Sequence, residues 1–354
     1  MQHTLKHARL AGLAVTVGAV TKDFVAEGLK QGQSQAHLER IAKTVGLNKR
    51  QVAGPGVTTV DLCEDAARRL LAAMALSPES IDAVIFVTQT PDHLQPNNAS
   101  LLHGRLGLKK TTAAFDLSLG CSGWVYGLHQ AVLCATFAER ILLCAGDTLT
   151  SLIHPDDHAI YPLFGDAGSV AIIERTPEVV PWHFVLGADG SKAKVIQVPA
   201  GGARQPSTGT PFKLLEDEDG NRRREDQLAI DGAEVFSFSL REVPPAVQQV
   251  MQMADWSVAE VEALILHQAN EFLVTNLARK CGFPLEKVPA GLAGKYGNQS
   301  SASLPATLLE AYAAPLRTRK MKIVGCGFGV GLSWGAFATE LGPCVTLPIM
   351  PLKS

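Results

Sequence analysis

Three polar side chains stand in apolar phrases where residue type and position suggest chemistry. Cys121 follows the run Ala114-Phe-Asp-Leu-Ser-Leu-Gly120 and opens a helical pattern, with Gly120 and Gly123 on either side. A thiol at a helix start meets unpaired backbone N–H groups and the positive end of the helix dipole, which favour its thiolate, and a thiolate can attack a thioester. The two glycines remove side chains where a substrate must approach the backbone. Taken alone, Cys121 also reads as a small buried apolar residue, as Cys134, Cys144 and Cys326 are expected to be. His267 ends the run Ala263-Leu-Ile-Leu266, at the strand end where open α/β sheets gather ligand groups. A neutral imidazole there can donate to a developing enolate, or can be satisfied by a backbone carbonyl. Asn298, in Lys295-Tyr-Gly-Asn-Gln-Ser-Ser-Ala-Ser303, reads as a helix cap or as a carboxamide that donates to a substrate oxygen.

The elements that must carry these groups alternate as βαβ units do. Ile81–Thr88 reads as a buried strand, Asn98–Leu106 as a helix, Ala114–Leu117 as a strand and Ser122–Ala138 as a long helix, with strands at Ile141–Ala145 and Gly168–Ile173. The hydrophilic stretch Arg204–Gln227 interrupts the pattern with the acidic run Glu216–Asp219 and the basic run Arg222–Arg224, read as a solvated surface loop or a docking patch for a charged partner. Beyond it, Glu234–Met253, Asn270–Lys280 and Ser301–Ala314 read as helices, and Ala263–Leu266 and Lys322–Gly325 as strands. The two halves echo each other. Phe164-Gly-Asp-Ala-Gly-Ser-Val-Ala-Ile-Ile173 resembles Phe328-Gly-Val-Gly-Leu-Ser-Trp-Gly-Ala-Phe337, and Gly120-Cys-Ser-Gly123 and Gly297-Asn-Gln-Ser300 are paired small-residue helix starts. A βα unit used twice would set Cys121 and Asn298 facing each other across a pseudo-dyad.

Composition excludes several functions. The 354 residues suit two domains or two similar halves, and 46% hydrophobic against 19% charged residues excludes a disordered chain. A net charge of -2 lacks the basic footprint of nucleic-acid binding. No apolar run approaches the roughly 20 residues that cross a bilayer. Lys6–Val20 has the faint outline of a signal peptide, but Val15–Val20 reads as well as a first strand entering a turn at Thr21–Asp23. Seven cysteines with no C-x-x-C spacing exclude a disulfide framework or zinc site and suit a reducing cytoplasm.

The phrases around Cys121, His267-Gln-Ala-Asn270, Tyr296-Gly-Asn-Gln-Ser-Ser-Ala-Ser303 and Phe328-Gly-Val-Gly-Leu-Ser-Trp-Gly335 resemble β-ketoacyl-carrier-protein synthase III, of the thiolase superfamily. Asp231-Gly-Ala-Glu-Val-Phe236 and Phe164-Gly-Asp-Ala-Gly168 extend the resemblance from about residue 10 to about residue 342. It implies an α/β chain with a thiolase-like duplicated αβαβα five-layer fold, divided as 1–180 with the nucleophilic cysteine and 181–354 with the histidine and asparagine. It further implies a homodimer, no cofactor, and acyl-coenzyme A or acyl-carrier protein as substrates. Carried over by residue, Cys121 takes an acyl group from a thioester, and His267 and Asn298 stabilise the enolate of a malonyl-type extender as CO2 leaves. Backbone N–H groups of Cys121 and Val330 form the oxyanion hole. Gln95, Phe164, Gln268, Asn270 and Gly329 meet substrate, while Arg279 and Lys280 receive carrier protein.

Departures from the family pattern leave the donor open. Members that prime from coenzyme A clamp its adenine with a Trp and an Arg before the first glycine turn; here Leu38–Gly46 has no Trp and places Arg40 and Thr44 there, and His158 replaces a further clamping Arg. The carrier-receiving Arg appears as Phe272, and Gln95 stands at the aromatic gate that reaches the acyl pocket across the dimer. Three readings follow: a decarboxylating condensing enzyme, an acyltransferase that passes acyl-Cys121 to a non-malonyl acceptor, and a non-catalytic partner subunit. The presence of all three polar residues argues against the last.

Overall fold

The apolar runs pair into two sheets that share one plan, described for residues 1–353 in a computed structural model. One sheet runs, in spatial order, Val345–Thr346, Ala8–Val17, Ala167–Arg175, Arg140–Asp147, Ala83–Val87 and Ala113–Leu117, with Met350–Pro351 also on Ala8–Val17. The other runs Gln2–Leu5, Trp182–Ala188, Ser333–Leu341, Met321–Gly329 and Ala263–Leu266. Four consecutive strands correspond in order and direction: Ala8–Val17, Ala167–Arg175, Arg140–Asp147 and Ala83–Val87 pair antiparallel, antiparallel and parallel. Trp182–Ala188, Ser333–Leu341, Met321–Gly329 and Ala263–Leu266 do the same. The duplication suggested by the glycine-rich echoes is therefore built into the sheets.

Strand alternation explains the layers. Ile85 and Val87 face a central core while their neighbours Val84 and Phe86 face an outer one, so the strand is apolar on both sides and its sequence reads as an unbroken apolar run. Ala263 and Ile265 likewise face the centre, and Leu264 and Leu266 the opposite outer layer. The helices Gly123–Cys134 and Ser303–Thr318 fill the centre with Trp124, Leu128, Val132, Leu304 and Leu308 against Leu13, Ile173, Phe184 and Phe337. Thr59–Ala73 and Asn98–Leu106 cover one outer face, and Gly232–Ala254 and Glu271–Lys280 the other. The result is the five-layer αβαβα fold.

Several local expectations change. The first long strand starts at Ala8, and Thr21–Asp23 is no turn: Val20–Asp23 pairs with Lys49–Val52 as a two-stranded ribbon, largely exposed along Val20–Asp23, while Arg50 and Val52 of the second strand are buried. The central helix stops at Cys134, where the chain turns and leaves Phe137 exposed. Arg204–Gln227 contains a hairpin, Leu214–Glu216 against Arg222–Arg224. Its opposite charges meet one another: Arg222 Nε lies 2.8 Å from Glu216 and Arg223 Nη2 3.1 Å from Asp217, which consumes the charge a docking patch would need. No helix among the described residues is long and apolar enough to cross a membrane.

Candidate active site

Cys121 lies in the turn between the strand Ala113–Leu117 and the helix Gly123–Cys134. Gly123 N–H donates to the Gly120 carbonyl at 2.7 Å, and a Cβ on Gly123 would stand 2.5 Å from Val87, so glycine allows the turn to press onto the sheet. The opposite sheet reaches the same point through a second glycine series. A Cβ on Gly327 would lie 2.8 Å from the Cys121 carbonyl, and one on Gly329 2.8 Å from Cys121 Cβ and 3.0 Å from Sγ. The backbone N–H groups of Cys121 and Val330 both act on the sulfur and favour its thiolate, as does Ser300, whose Oγ is 3.9 Å from Sγ. Burial outweighs them and, with the Asp147 charge adding to it, pushes the thiol up to about 12. The helix start favours the thiolate as its position suggests, but burial is the larger effect and holds the group's pKa high.

His267 extends the strand Ala263–Leu266 by donating its backbone N–H to the Cys326 carbonyl at 2.9 Å. Its ring is buried edge-on against Phe328, with centroids 5.5 Å apart, and its Nδ1 is 2.8 Å from Ser303 Oγ. Burial lowers its pKa to about 4 against the opposing pull of the Ser300 backbone carbonyl, so the imidazole is neutral at neutral pH. Asn298 is held by a clamp between the halves: its N–H donates to the Leu163 carbonyl at 2.8 Å and its carbonyl accepts from Gly165 N–H at 3.1 Å. It does not cap the helix Ser303–Thr318, which begins after the intervening turn Ser300–Ala302. Its Oδ1 accepts from Ser300 N–H at 2.9 Å, which turns the amide nitrogen the other way as a free donor.

The three side chains line one cavity of about 280 Å³, otherwise walled by apolar groups such as Leu149, Ile160, Leu163, Ile196 and Leu228. Phe164, Asn270, Gly329 and Val330 also line it; Asn270 additionally caps the helix Glu271–Lys280 by accepting from Leu273 N–H at 2.8 Å. Gln268 does not. Its Nε2 donates to the Leu266 and Pro289 carbonyls, both at 2.9 Å, so it ties two backbone segments together instead of meeting substrate. Gln95 is exposed and off the cavity wall of its own chain. Arg279 and Lys280 are exposed, about 14 to 15 Å beyond Asn270 along the helix at 1.5 Å per residue. A second cavity of about 320 Å³, lined by Phe24, Leu38, Ile41 and His158, adjoins the first at Ala159, Leu163 and Asn270. Gln89, Asp147, Ser300 and Ser303 surround the polar end and were not singled out from the sequence. For Asp147 the available signal was a carboxylate closing an apolar strand.

Comparison with known proteins bears on the family and the fold. Residues 115–190 match the family model for 3-oxoacyl-[acyl-carrier-protein] synthase III, and residues 251–341 match that for its C-terminal part. A putative 3-oxoacyl-[acyl-carrier-protein] synthase 3 of Campylobacter jejuni is 35% identical over 303 residues, 84% of this chain and 84% of that protein. A β-ketoacyl-[acyl-carrier-protein] synthase III of Streptomyces coelicolor is 33% identical over 307 residues, covering 85% of this chain and 88% of that one. The crystal structure of a 3-oxoacyl-(acyl-carrier protein) synthase from Burkholderia xenovorans LB400 superposes with a TM-score of 0.91 at 34% identity, over 99% of both chains. With its duplicated five-layer fold and its cysteine, histidine and asparagine at one cavity end, this chain belongs to the β-ketoacyl-[acyl-carrier-protein] synthase III family of condensing transferases.

Proposed function

We propose that the chain condenses an acyl group with a malonyl-type extender through a covalent acyl-Cys121 intermediate. Cys121 attacks a donor thioester, and the N–H groups of Cys121 and Val330 receive the oxyanion of the tetrahedral intermediate. The extender's thioester oxygen then lies between His267 and Asn298 Nδ2. As its C–C bond to the carboxylate breaks and CO2 leaves, the electron pair passes into an enolate, which attacks the acyl-Cys121 carbonyl and releases a β-ketoacyl thioester. Both donors are neutral and fixed. Ser303 Oγ accepts from Gln268 N–H at 3.4 Å and lies 2.8 Å from His267 Nδ1; the proposed step takes the tautomer in which Nδ1 accepts and Nε2 carries the proton. Apolar walls suit an acyl chain and keep water from the enolate.

The observation that carries this reading is the convergence of Cys121, His267 and Asn298, from three distant segments, on one apolar cavity. We further propose that Arg279 and Lys280 receive an acidic carrier protein and that a homodimer brings Gln95 to the partner's acyl pocket. Reversing both charges should then raise KM for a carrier-borne extender while sparing loading from small thioesters. The decisive experiment supplies malonyl-carrier protein to acylated protein. Release of CO2 with a β-ketoacyl product supports condensation; a stable adduct with no CO2 reassigns the chain to acyl transfer onto a non-malonyl acceptor.

A further inference from the structure

Behind Cys121 lies a buried polar chain that condensation as described above does not use. Asp147, 1% exposed, closes the strand Arg140–Asp147. Its Oδ1 is saturated: it accepts from Gln89 N–H at 2.7 Å, Thr88 Oγ1 at 2.9 Å and Thr90 Oγ1 at 3.3 Å. Its Oδ2 is buried with no hydrogen-bond partner. Ser300 neighbours this carboxyl and opposes the rise that burial imposes on it, although its hydroxyl makes no well-aligned bond to Oδ2 in this structure. Gln89 fixes that hydroxyl, donating from Nε2 to Ser300 Oγ at 3.4 Å, and Ser300 Oγ lies 3.9 Å from Cys121 Sγ. Ser300 is held at φ 49°, a left-handed conformation that a serine adopts at a cost, and the Asn298 side chain secures it.

We propose that Ser300 and Asp147 carry the Cys121 thiol proton during acyl loading. The inference rests on Cys121 being the acylated residue. In the step, the Sγ–H bond breaks as Ser300 Oγ takes the proton, and the Ser300 O–H bond breaks as Asp147 Oδ2 takes that one. The freed electron pair on sulfur forms the S–C bond to the donor carbonyl. When the donor C–S bond breaks, the departing thiolate recovers the proton from Asp147 through the same hydroxyl, so no proton is gained or lost overall. The relay answers an electrostatic difficulty. A thiolate formed beside an ionised Asp147 would put two anions in an apolar cavity, whereas moving the proton onto the carboxyl keeps one. Ser300 touches the reacting atom; Asp147 acts through it as a positioning residue.

Burial raises the Asp147 carboxyl to about 6. The other titratable groups facing it are the Cys121 thiol and, from the helix Thr59–Ala73, the Cys63 thiol; both are pushed up by burial and stay neutral at acid pH. Thr88 and Thr90 present only hydroxyls. Below about pH 6 the carboxyl is protonated and cannot accept. Single-turnover loading of Cys121 by an acyl thioester, followed by protein mass from about pH 5 to about pH 9, should therefore show an acid limb near pH 6. Asp147→Asn should load roughly 10²-fold more slowly or worse and lose the limb. Ser300→Ala, which keeps the carboxylate, should do the same and decides the matter if Asp147→Asn fails to fold. If Asp147 acts only as a nearby charge, its removal lowers the thiol pKa and loading becomes faster. Faster loading, or wild-type rates with the limb intact in Ser300→Ala, overturns the relay. A wild-type chain that forms no adduct with any donor instead overturns the assignment of Cys121.

Discussion

Of the three side chains proposed to react, Asn298 and His267 each have a partner that bears on which of their atoms is free. Asn298 Oδ1 is committed to Ser300 N–H, so the account asks only its Nδ2 to meet the enolate. Asn298→Ala should slow condensation by roughly 10²–10³-fold, about the loss of one oxyanion-type donor, and slow acyl loading far less, by the loosening of Ser300 alone. Equal damage to both half-reactions, read as adduct mass and CO2 release, would make it a structural clamp only. Cys121→Ala should abolish loading with little change in melting temperature, because a small side chain is replaced by another. Burial of a neutral imidazole has a second consequence, seen most cleanly at His129, which lies outside the cavity and whose pKa burial lowers to about 4. The unfolded chain takes up this proton near the ordinary value of 6.5, so the contribution to stability is lost as pH falls from about 6.5 towards about 4. His129→Gln should reduce the drop in denaturant midpoint over that window; an unchanged drop would contradict the assignment.

The elements explain which residues could be read in advance. Cys121 and Asn298 were visible because each stands beside glycine in a small-residue turn repeated in both halves. Glycine in the strand Met321–Gly329 gives the turn room: Gly329→Ala would place a methyl carbon 2.8 Å from Cys121 Cβ, and a displacement near 1 Å at the nucleophile should slow loading by about 10²-fold. Loading at the normal rate in that variant would show that the two sheets do not need this approach. The phrase His267-Gln-Ala-Asn270 was read as a block, yet only His267, Ala269 and Asn270 line the cavity, while Gln268 turns to the Leu266 and Pro289 carbonyls. The helix Gln35–Val45 escaped because only Leu38 along it is buried, so its apolar spacing is thin. Ser300 and Asp147 escaped for another reason. Their roles depend on a meeting of residues far apart in the chain, which no local pattern encodes.

Duplication places Cys121 on one repeat and His267 and Asn298 on the other, and we propose 1–180 and 181–354 as those halves. The ends bind them together: Gln2–Leu5 joins the sheet of the second half and Val345–Thr346 and Met350–Pro351 join the first. Arg317 also donates from Nε to Thr346 Oγ1 at 2.8 Å. Removing residues 345–354 should expose the edge of Ala8–Val17, lower the denaturant midpoint and reduce amide protection in that strand first; protection lost first in the second sheet would contradict this linkage. The fold class and the meeting of Cys121, His267 and Asn298 at one cavity were thus open to reading, whereas the exchange of end strands was not, because edge pairing of strands two to four residues long carries almost no periodic signal. The most direct measurement of the whole account is the mass of the intact chain after exposure to acyl thioesters, with peptide mapping and then addition of malonyl-carrier protein. The account predicts one acyl group on Cys121 and on no other cysteine, discharged with release of CO2 and a β-ketoacyl product. An adduct on a different residue, or product formed by Cys121→Ala, would contradict it.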